Sequence, residues 1–218
     1  MIIAIDGPSG SGKSTLGRML ARELNLLYLD TGSMYRAVAL ATIEAGIDPH
    51  DSEAVVALAT NSDIDLAGDP DSLKVSLNGR DVTEAIRSEN VTEMSSVVST
   101  IPGVRRAMVA RQRALGKRGA VLNGRDIGTV VFPDADVKFF LTAAPEERAE
   151  RRFKEDQLTH HDVSFAQTLA EMIERDRRDS TRADSPLKPA DDAITIDSSG
   201  LSIDDVFLLI MKYVHRHN

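Results

Sequence analysis

Gly7-Pro8-Ser9-Gly10-Ser11-Gly12-Lys13-Ser14 fits the pattern Gly-x-x-x-x-Gly-Lys-Ser/Thr, and Thr15 follows it. The apolar run of residues 1–6 precedes it and reads as a buried strand. Residues 15–24 follow with helical periodicity. Strand, glycine loop and helix together make a phosphate cradle: glycines let backbone N–H groups approach the oxygens, and the helix N-terminus favours negative charge. In such a cradle Lys13 reaches the β- and γ-phosphates and the Ser14 hydroxyl holds Mg²⁺. The loop therefore predicts binding of a nucleoside triphosphate through residues 7–15, without saying what is done with it.

Outward from the loop, four apolar runs read as buried parallel strands: residues 2–5, 27–29, 120–122 and 137–141, with a fifth at 193–196. Helical patterns separate them, the alternation expected of a parallel sheet covered on both faces. Residues 34–45 read as a helix capped by Gly46, and residues 52–59 as another, with Ser52 as its N-cap. Pro102-Gly103 separates two helices, the second running through residues 105–115. Pro145 opens a helix over 146–154, and residues 206–214 close the chain as an amphipathic helix. One segment breaks the alternation: residues 73–77 alternate with period two, then Asn78-Gly79 and Arg80-Asp81-Val82 follow. That is a hairpin with a type I′ turn, so residues 63–90 read as an insert.

A chain of 218 residues, 42% hydrophobic, suits one α/β domain with room for such an insert. The net charge of −8 argues against a general nucleic-acid binder, so arginines must be read where they cluster. With no cysteine, disulfides, thiolate metal sites and cysteine nucleophiles are excluded. No basic segment precedes the first apolar run and no run is long enough to span a bilayer, so a cytoplasmic protein without membrane contact is expected.

A triphosphate site serves either a hydrolytic switch or transfer to an acceptor. A guanine-nucleotide switch wants Asp-x-x-Gly and Asn-Lys-x-Asp. The first occurs only at Asp65-Leu66-Ala67-Gly68, inside the insert, and the second is absent. An acceptor site belongs at the C-terminal ends of the other strands. There the chain offers Asp30-Thr31-Gly32-Ser33-Met34-Tyr35-Arg36 after one strand and Asn123-Gly124-Arg125-Asp126 after another. Each brings an arginine, whose planar fork suits phosphate. Arg175, Arg178 and Arg182 follow at i, i+3 and i+7, a helical stripe fit to cover a transferring phosphoryl group as a lid. Arg148, Arg151 and Arg152 form a similar stripe, and a solvated face accounts for the last two.

Residues 7–15, Asp30-Thr31-Gly32-x-x-Tyr35-Arg36, the block from Gly124 to Pro133 and Arg175-Asp176-x-x-Asp179-x-x-Arg182 together resemble the bacterial cytidylate kinases, in register over almost the whole chain. The resemblance implies the nucleoside-monophosphate kinase fold: a five-stranded parallel sheet flanked by helices, a small antiparallel β insert at 63–90, and a helical lid at 145–182. It implies transfer of the γ-phosphoryl of ATP to CMP or dCMP with Mg²⁺, in a monomer. By position, the monophosphate arginines fall on Arg36, Arg125 and Arg175, with Asp30 and Thr31 beside them. The sugar falls to Asp179 and Arg182, and the base to Ser96, Arg105 and Asp126. Lys13, Arg125, Arg175 and Arg178 are then the catalytic set, and Ser14 the metal ligand.

The chemistry of these residue types agrees. Asp126 can accept from the cytosine N4 amine and Arg105 can donate to N3 and O2. Uracil reverses two of those positions, and a site left with unpaired buried groups rejects it by roughly 10⁴-fold. No general base is required, because a nucleoside monophosphate has its second pKa at about 6 and is already the dianion. A kinase for UMP or for a small alcohol stays open on the residues alone; Asp30 would be the base for the alcohol.

Overall fold

The computed structural model describes residues 1–157 and 164–216. The expected lid region includes 158–163, which lie outside the described residues. In chain order the elements are β1 (Ile2–Asp6), α1 (Lys13–Glu23), β2 (Leu27–Asp30), α2 (Thr31–Glu44), α3 (Ser52–Asn61), β3 (Ile64–Ala67), β4 (Lys74–Leu77), β5 (Arg80–Asp81), α4 (Glu89–Val98), α5 (Pro102–Gly116), β6 (Ala120–Gly124), β7 (Val137–Thr142), α6 (Pro145–Gln157), α7 (Phe165–Thr181), β8 (Ile194–Asp197) and α8 (Ile203–Val214). A single π turn, Ile127–Val131, separates β6 from β7.

The main sheet has five strands in the order β2-β6-β1-β7-β8, all parallel, as the alternation of runs and helices predicts. Strand periodicity divides the core. Ile3 and Ile5 point to the face covered by α1 and α8, against Leu16, Leu20, Val206 and Ile210. Ala4 between them points to the opposite face, with Leu29, Leu122 and the α2 residues Met34, Ala37 and Val38. Every one of these side chains is at most 1% exposed. No helix among the described residues is long and apolar enough to cross a membrane.

The insert is a three-stranded antiparallel sheet, β3-β4-β5. The hairpin is where the alternation places it: Asn78 (φ 52°) and Gly79 (φ 78°) are both left-handed, as a type I′ turn requires. The third strand, β3, pairs Ile64 to Leu77 and Leu66 to Val75. It carries the first three residues of the Asp65–Gly68 match, and Gly68 only follows an edge strand here.

Several boundaries move, for local reasons. α2 begins at Thr31 and not Met34, because Asp30 caps it: Gly32 N–H donates to Asp30 Oδ1 at 3.1 Å. α3 is capped by Asp51 and not Ser52, the Ala54 N–H donating to Asp51 Oδ1 at 3.1 Å. α5, set apart from α4 as expected, begins at Pro102 and not Arg105, because a proline fits the first turn, where a missing N–H costs nothing. α7 stops at Thr181, and Arg182 is extended (φ −64°, ψ 143°), so the arginine stripe loses its third member to the following loop.

Candidate active site

All five parallel strands point their C-terminal ends at one cleft. Its walls include residues 9–15, Arg36, Arg105, Arg125, Asp126, Arg175, Asp179 and Arg182, together with residues 70–75 and 83–87 of the insert. The glycine loop is fitted tightly into the sheet edge. A Cβ at Gly7 (φ 148°) would lie 2.0 Å from the Leu141 carbonyl oxygen, and one at Gly10 (φ 71°) 2.7 Å from that of Arg148. Only glycine lets the backbone run here. α1 starts at Lys13 with no side chain capping it, so its first N–H groups face the cleft.

Lys13 is 6% exposed, and its ammonium donates to the Pro8 carbonyl and, at 3.2 Å, to Ser11 Oγ. Burial, and then the positive charges of Arg125 and Arg175, push its pKa well below the usual lysine value, with Asp6 opposing them. Gly7 and Pro8 shape the loop from behind; residues 9–15 form the wall itself.

Across the cleft, Asp30 accepts from Ser33 Oγ at 2.8 Å and from Arg36 Nη2 at 3.0 Å. Burial opposes its charge, but Arg36, Ser33 and the Gly32 N–H outweigh burial and hold the carboxyl below the ordinary range. Thr31 is spent on structure, donating to the Asn123 carbonyl at 2.8 Å and so tying the ends of β2 and β6. Arg36 Nε is buried without a partner. Arg125 Nε donates to Asp179 Oδ2 at 2.8 Å, and Arg182 Nη1 lies 3.5 Å from Asp179 Oδ1. Burial works against the Asp179 charge as well, and Arg125, Arg175 and Arg182 overcome it, keeping the carboxyl low. Arg175 has no carboxylate within ion-pair distance among the described residues, and burial and the Arg125 charge lower its pKa to about 10. Arginine is not expected to give up its proton. The shift measures how strongly this corner favours an anion.

Deeper in the cleft Arg105 and Asp126 form an ion pair, at 2% and 5% exposure. Arg105 also donates to the Ser99 carbonyl at 3.2 Å and lies 5.5 Å from the centre of the Tyr35 ring. Its Nε and Arg182 Nη2 are buried donors without acceptors. Such groups are costly unless a ligand takes them.

Two expected residues stand off this wall. Ser96 is on α4, but Thr92, Ser95 and Ser99 share the helix face that lines the cleft, and Ser96 is a third of a turn away. Arg178 lies off the cleft on α7, 3.8 Å from Glu174.

Three residues gain a role the motifs did not show. Arg148 is 5% exposed; it donates to the carbonyls of Ala143 (2.9 Å) and Ser9 (3.0 Å) and to Asp176 Oδ2 (2.6 Å), fastening α6 and α7 to the glycine loop. Asp6, ending β1, is 4% exposed and accepts from the Ile127 and Gly128 N–H groups. Asn123 donates to Ser14 Oγ at 3.1 Å while its own Oδ1 is buried and unpartnered. Ser14 Oγ, that oxygen and the nearby Asp30 carboxylate are hard donors of the kind Mg²⁺ prefers. No group of three or more His, Cys, Asp or Glu fit to hold a metal occurs among the described residues. The residues thus fit an ion held by one or two protein oxygens plus phosphates and water.

Comparison with known proteins gives the same picture. A solved structure of an uncharacterized protein from Eubacterium ventriosum matches 99% of this chain and 98% of its own, at 14% identity and a TM-score of 0.53, which shows a shared fold. A cytidylate kinase of Solibacter usitatus is 52% identical over 98% of this chain and 92% of its own length. One of Bacillus pumilus is 49% identical over 98% and 96%. The family model for cytidylate kinase matches residues 3–216. With a donor loop, an arginine-lined acceptor wall and half-identical relatives end to end, the chain belongs to the cytidylate kinase family.

Proposed function

We infer that this protein transfers the γ-phosphoryl group of ATP to CMP or dCMP, giving CDP or dCDP and ADP. The observation that carries the reading is the facing of two anion sites across one cleft: the glycine loop with Lys13 on one side, Arg36, Arg125 and Arg175 on the other. A hydrolytic switch has no use for the second.

The work divides by position. Residues 9–15 hold the triphosphate by backbone N–H groups, and Lys13 neutralises charge between the β- and γ-phosphates. Binding a polyanion there favours the lysine's charge, which burial opposes in the free protein. Arg36, Arg125 and Arg175 hold the monophosphate, aided by the Asp30 and Asp179 carboxylates that fix two of those guanidiniums. An oxygen of the CMP phosphate forms the new bond to the γ-phosphorus, and the bond to the β,γ-bridging oxygen breaks, leaving on ADP. No side chain needs to take a proton, since the acceptor is already the dianion above about pH 6. Ser14, with Asn123 and Asp30 nearby, would hold Mg²⁺, which would neutralise charge on the phosphates.

Arg105 and Asp126 suit the cytosine edge, and their unpartnered or paired groups support that assignment. Asp179 and Arg182 suit the sugar. Residues 63–90 and 145–182 are read as the two arms around the acceptor; both contribute to the cleft wall. We read the protein as a monomer, the state its family resemblance implies, and its substrates suit the cytoplasm.

A coupled assay of ADP release tests the reading. Rapid turnover is expected with CMP or dCMP, and far less with UMP or AMP. Slow ATP hydrolysis indifferent to any monophosphate would overturn it.

A further inference from the structure

Asp6 is a buried carboxylate at the end of the central strand, paired in register with Gly124 of β6 and Phe140 of β7. Two residues beyond Gly124 the chain reaches Asp126 and then enters the π turn Ile127–Val131. The first N–H groups of any helical turn lack partners within it. Here each oxygen of Asp6 takes one of them: Ile127 N–H to Oδ1 at 2.8 Å and Gly128 N–H to Oδ2 at 2.7 Å. The far end of the turn is held by a cation. Arg113 donates from Nε to the Val131 carbonyl at 2.8 Å and from Nη2 to the Val130 carbonyl at 2.7 Å. Inside the turn, the Val130 and Val131 N–H groups both donate to the Asp126 carbonyl, at 2.9 and 3.1 Å. The backbone of Asp126 is thereby fixed by an anion at the start of the turn and a cation at its end, the favourable arrangement for its dipole.

The other charged groups facing Asp6 are Lys13 and Asp126. Asp126 disfavours a second carboxylate so near, and burial disfavours it further. What the carboxylate alone offers is two separate acceptor oxygens. An asparagine of the same size has one, and would present an N–H₂ group to the second N–H.

We propose that Asp6 is a positioning residue for base recognition, holding with Arg113 the turn that aims Asp126 at the cytosine amine. It touches no substrate. The inference rests on the assignment of Asp126 to the base, and the experiment separates the two. Turnover of CMP and UMP, and KM for ATP, are measured for Asp6→Asn, Arg113→Met and Asp126→Ala. Asp6→Asn and Arg113→Met are each expected to raise KM for CMP about tenfold, the worth of one displaced hydrogen bond. They narrow the CMP-to-UMP ratio of kcat/KM while KM for ATP stays within about twofold. An effect passed through Lys13, or a general loss of structure, would depress both acceptors alike and leave that ratio unmoved. An unchanged ratio in both variants, with Asp126→Ala narrowing it, overturns the role of Asp6 alone. An unchanged ratio in Asp126→Ala overturns the base assignment and the positioning role with it. If Asp6→Asn does not fold, Arg113→Met, altering an exposed side chain, decides the matter.

Discussion

The guanidinium of Arg105 donates to the carboxylate of Asp126 where the two side chains are only 3% and 6% exposed, and the ring of Tyr35 lies alongside. Removing one member leaves the other buried and unpaired, which costs about 3–5 kcal/mol. Asp126→Ala is therefore expected to lose stability as well as substrate preference. Calorimetry should show the lowered Tm, and the CMP-to-UMP ratio of kcat/KM should fall by about 100-fold as the carboxylate acceptor disappears. Equal losses on both bases would assign the pair to the core alone.

Lys13 gives the opposite combination. Burial and the guanidiniums of Arg125 and Arg175 disfavour its charge in the free protein, against its hydrogen bonds to Pro8 and Ser11 and the charge of Asp6, so the charge adds little to the fold. Lys13→Ala should lower kcat by about 100- to 1,000-fold, the loss typical of a group stabilising transition-state charge. CMP affinity measured by calorimetry should stay near wild type, and Tm should not drop. An unchanged kcat would remove the loop from the chemistry.

Asp6 has its own pH signature. Burial raises its carboxyl from 3.8 to about 6, against the two N–H donors that lower it. A raised carboxyl binds its proton more tightly in the folded state. Its contribution to stability is thus full below pH 3.8 and lost as pH rises to about 6. Asp30 and Asp179, held low, behave oppositely and lose their contribution only as pH falls below the ordinary carboxylate value. The difference in unfolding free energy between wild type and Asp6→Asn should therefore slope downward between pH 4 and pH 6 and be flat above. A flat difference throughout would mean that Asp6 titrates normally.

Arg148 ties α6 and α7 to the glycine loop through three hydrogen bonds, with Asp176 as its counter-ion. Arg148→Met should cost about 3–5 kcal/mol by stranding Asp176. Since the lost contacts include the Ser9 carbonyl, KM for ATP should rise more than KM for CMP. The double change Arg148→Met with Asp176→Leu should recover much of the stability without recovering KM for ATP. Recovery of both would mean that the loop is indifferent to the contact.

What could be read from the chain alone follows from where each interaction lies. The glycine loop is contiguous, so its residue types and spacing carry its geometry. Arg36 and Arg125 were legible because each follows a strand end, and strand ends converge in a parallel sheet. Ser96 stands off the cleft that Ser95 and Ser99 line, because helix phase depends on packing, which one serine among several does not reveal. Arg182 fell outside α7 because nothing in residues 175–182 signals the stop after Thr181. Arg148 looked like part of a charged face, since its partner Asp176 is 28 positions away. Asp6 did carry a signal, an acid ending an apolar strand, but its partners lie more than 120 residues on.

The hydrophobic core does not stop at the large sheet. Ile64, Leu66, Val75, Leu77, Val82 and Ile86 of the insert belong to one continuous cluster with Met34 and Val38 of α2 and Leu122 of β6. The small sheet is thus no detachable ornament. Cutting out residues 63–90 would uncover the side of α2 that packs on the small sheet and expose that apolar surface to water. A designer who wanted a different acceptor would leave that underside alone and rewrite the upper side, where Lys74, Thr83 and Arg87 look into the cleft.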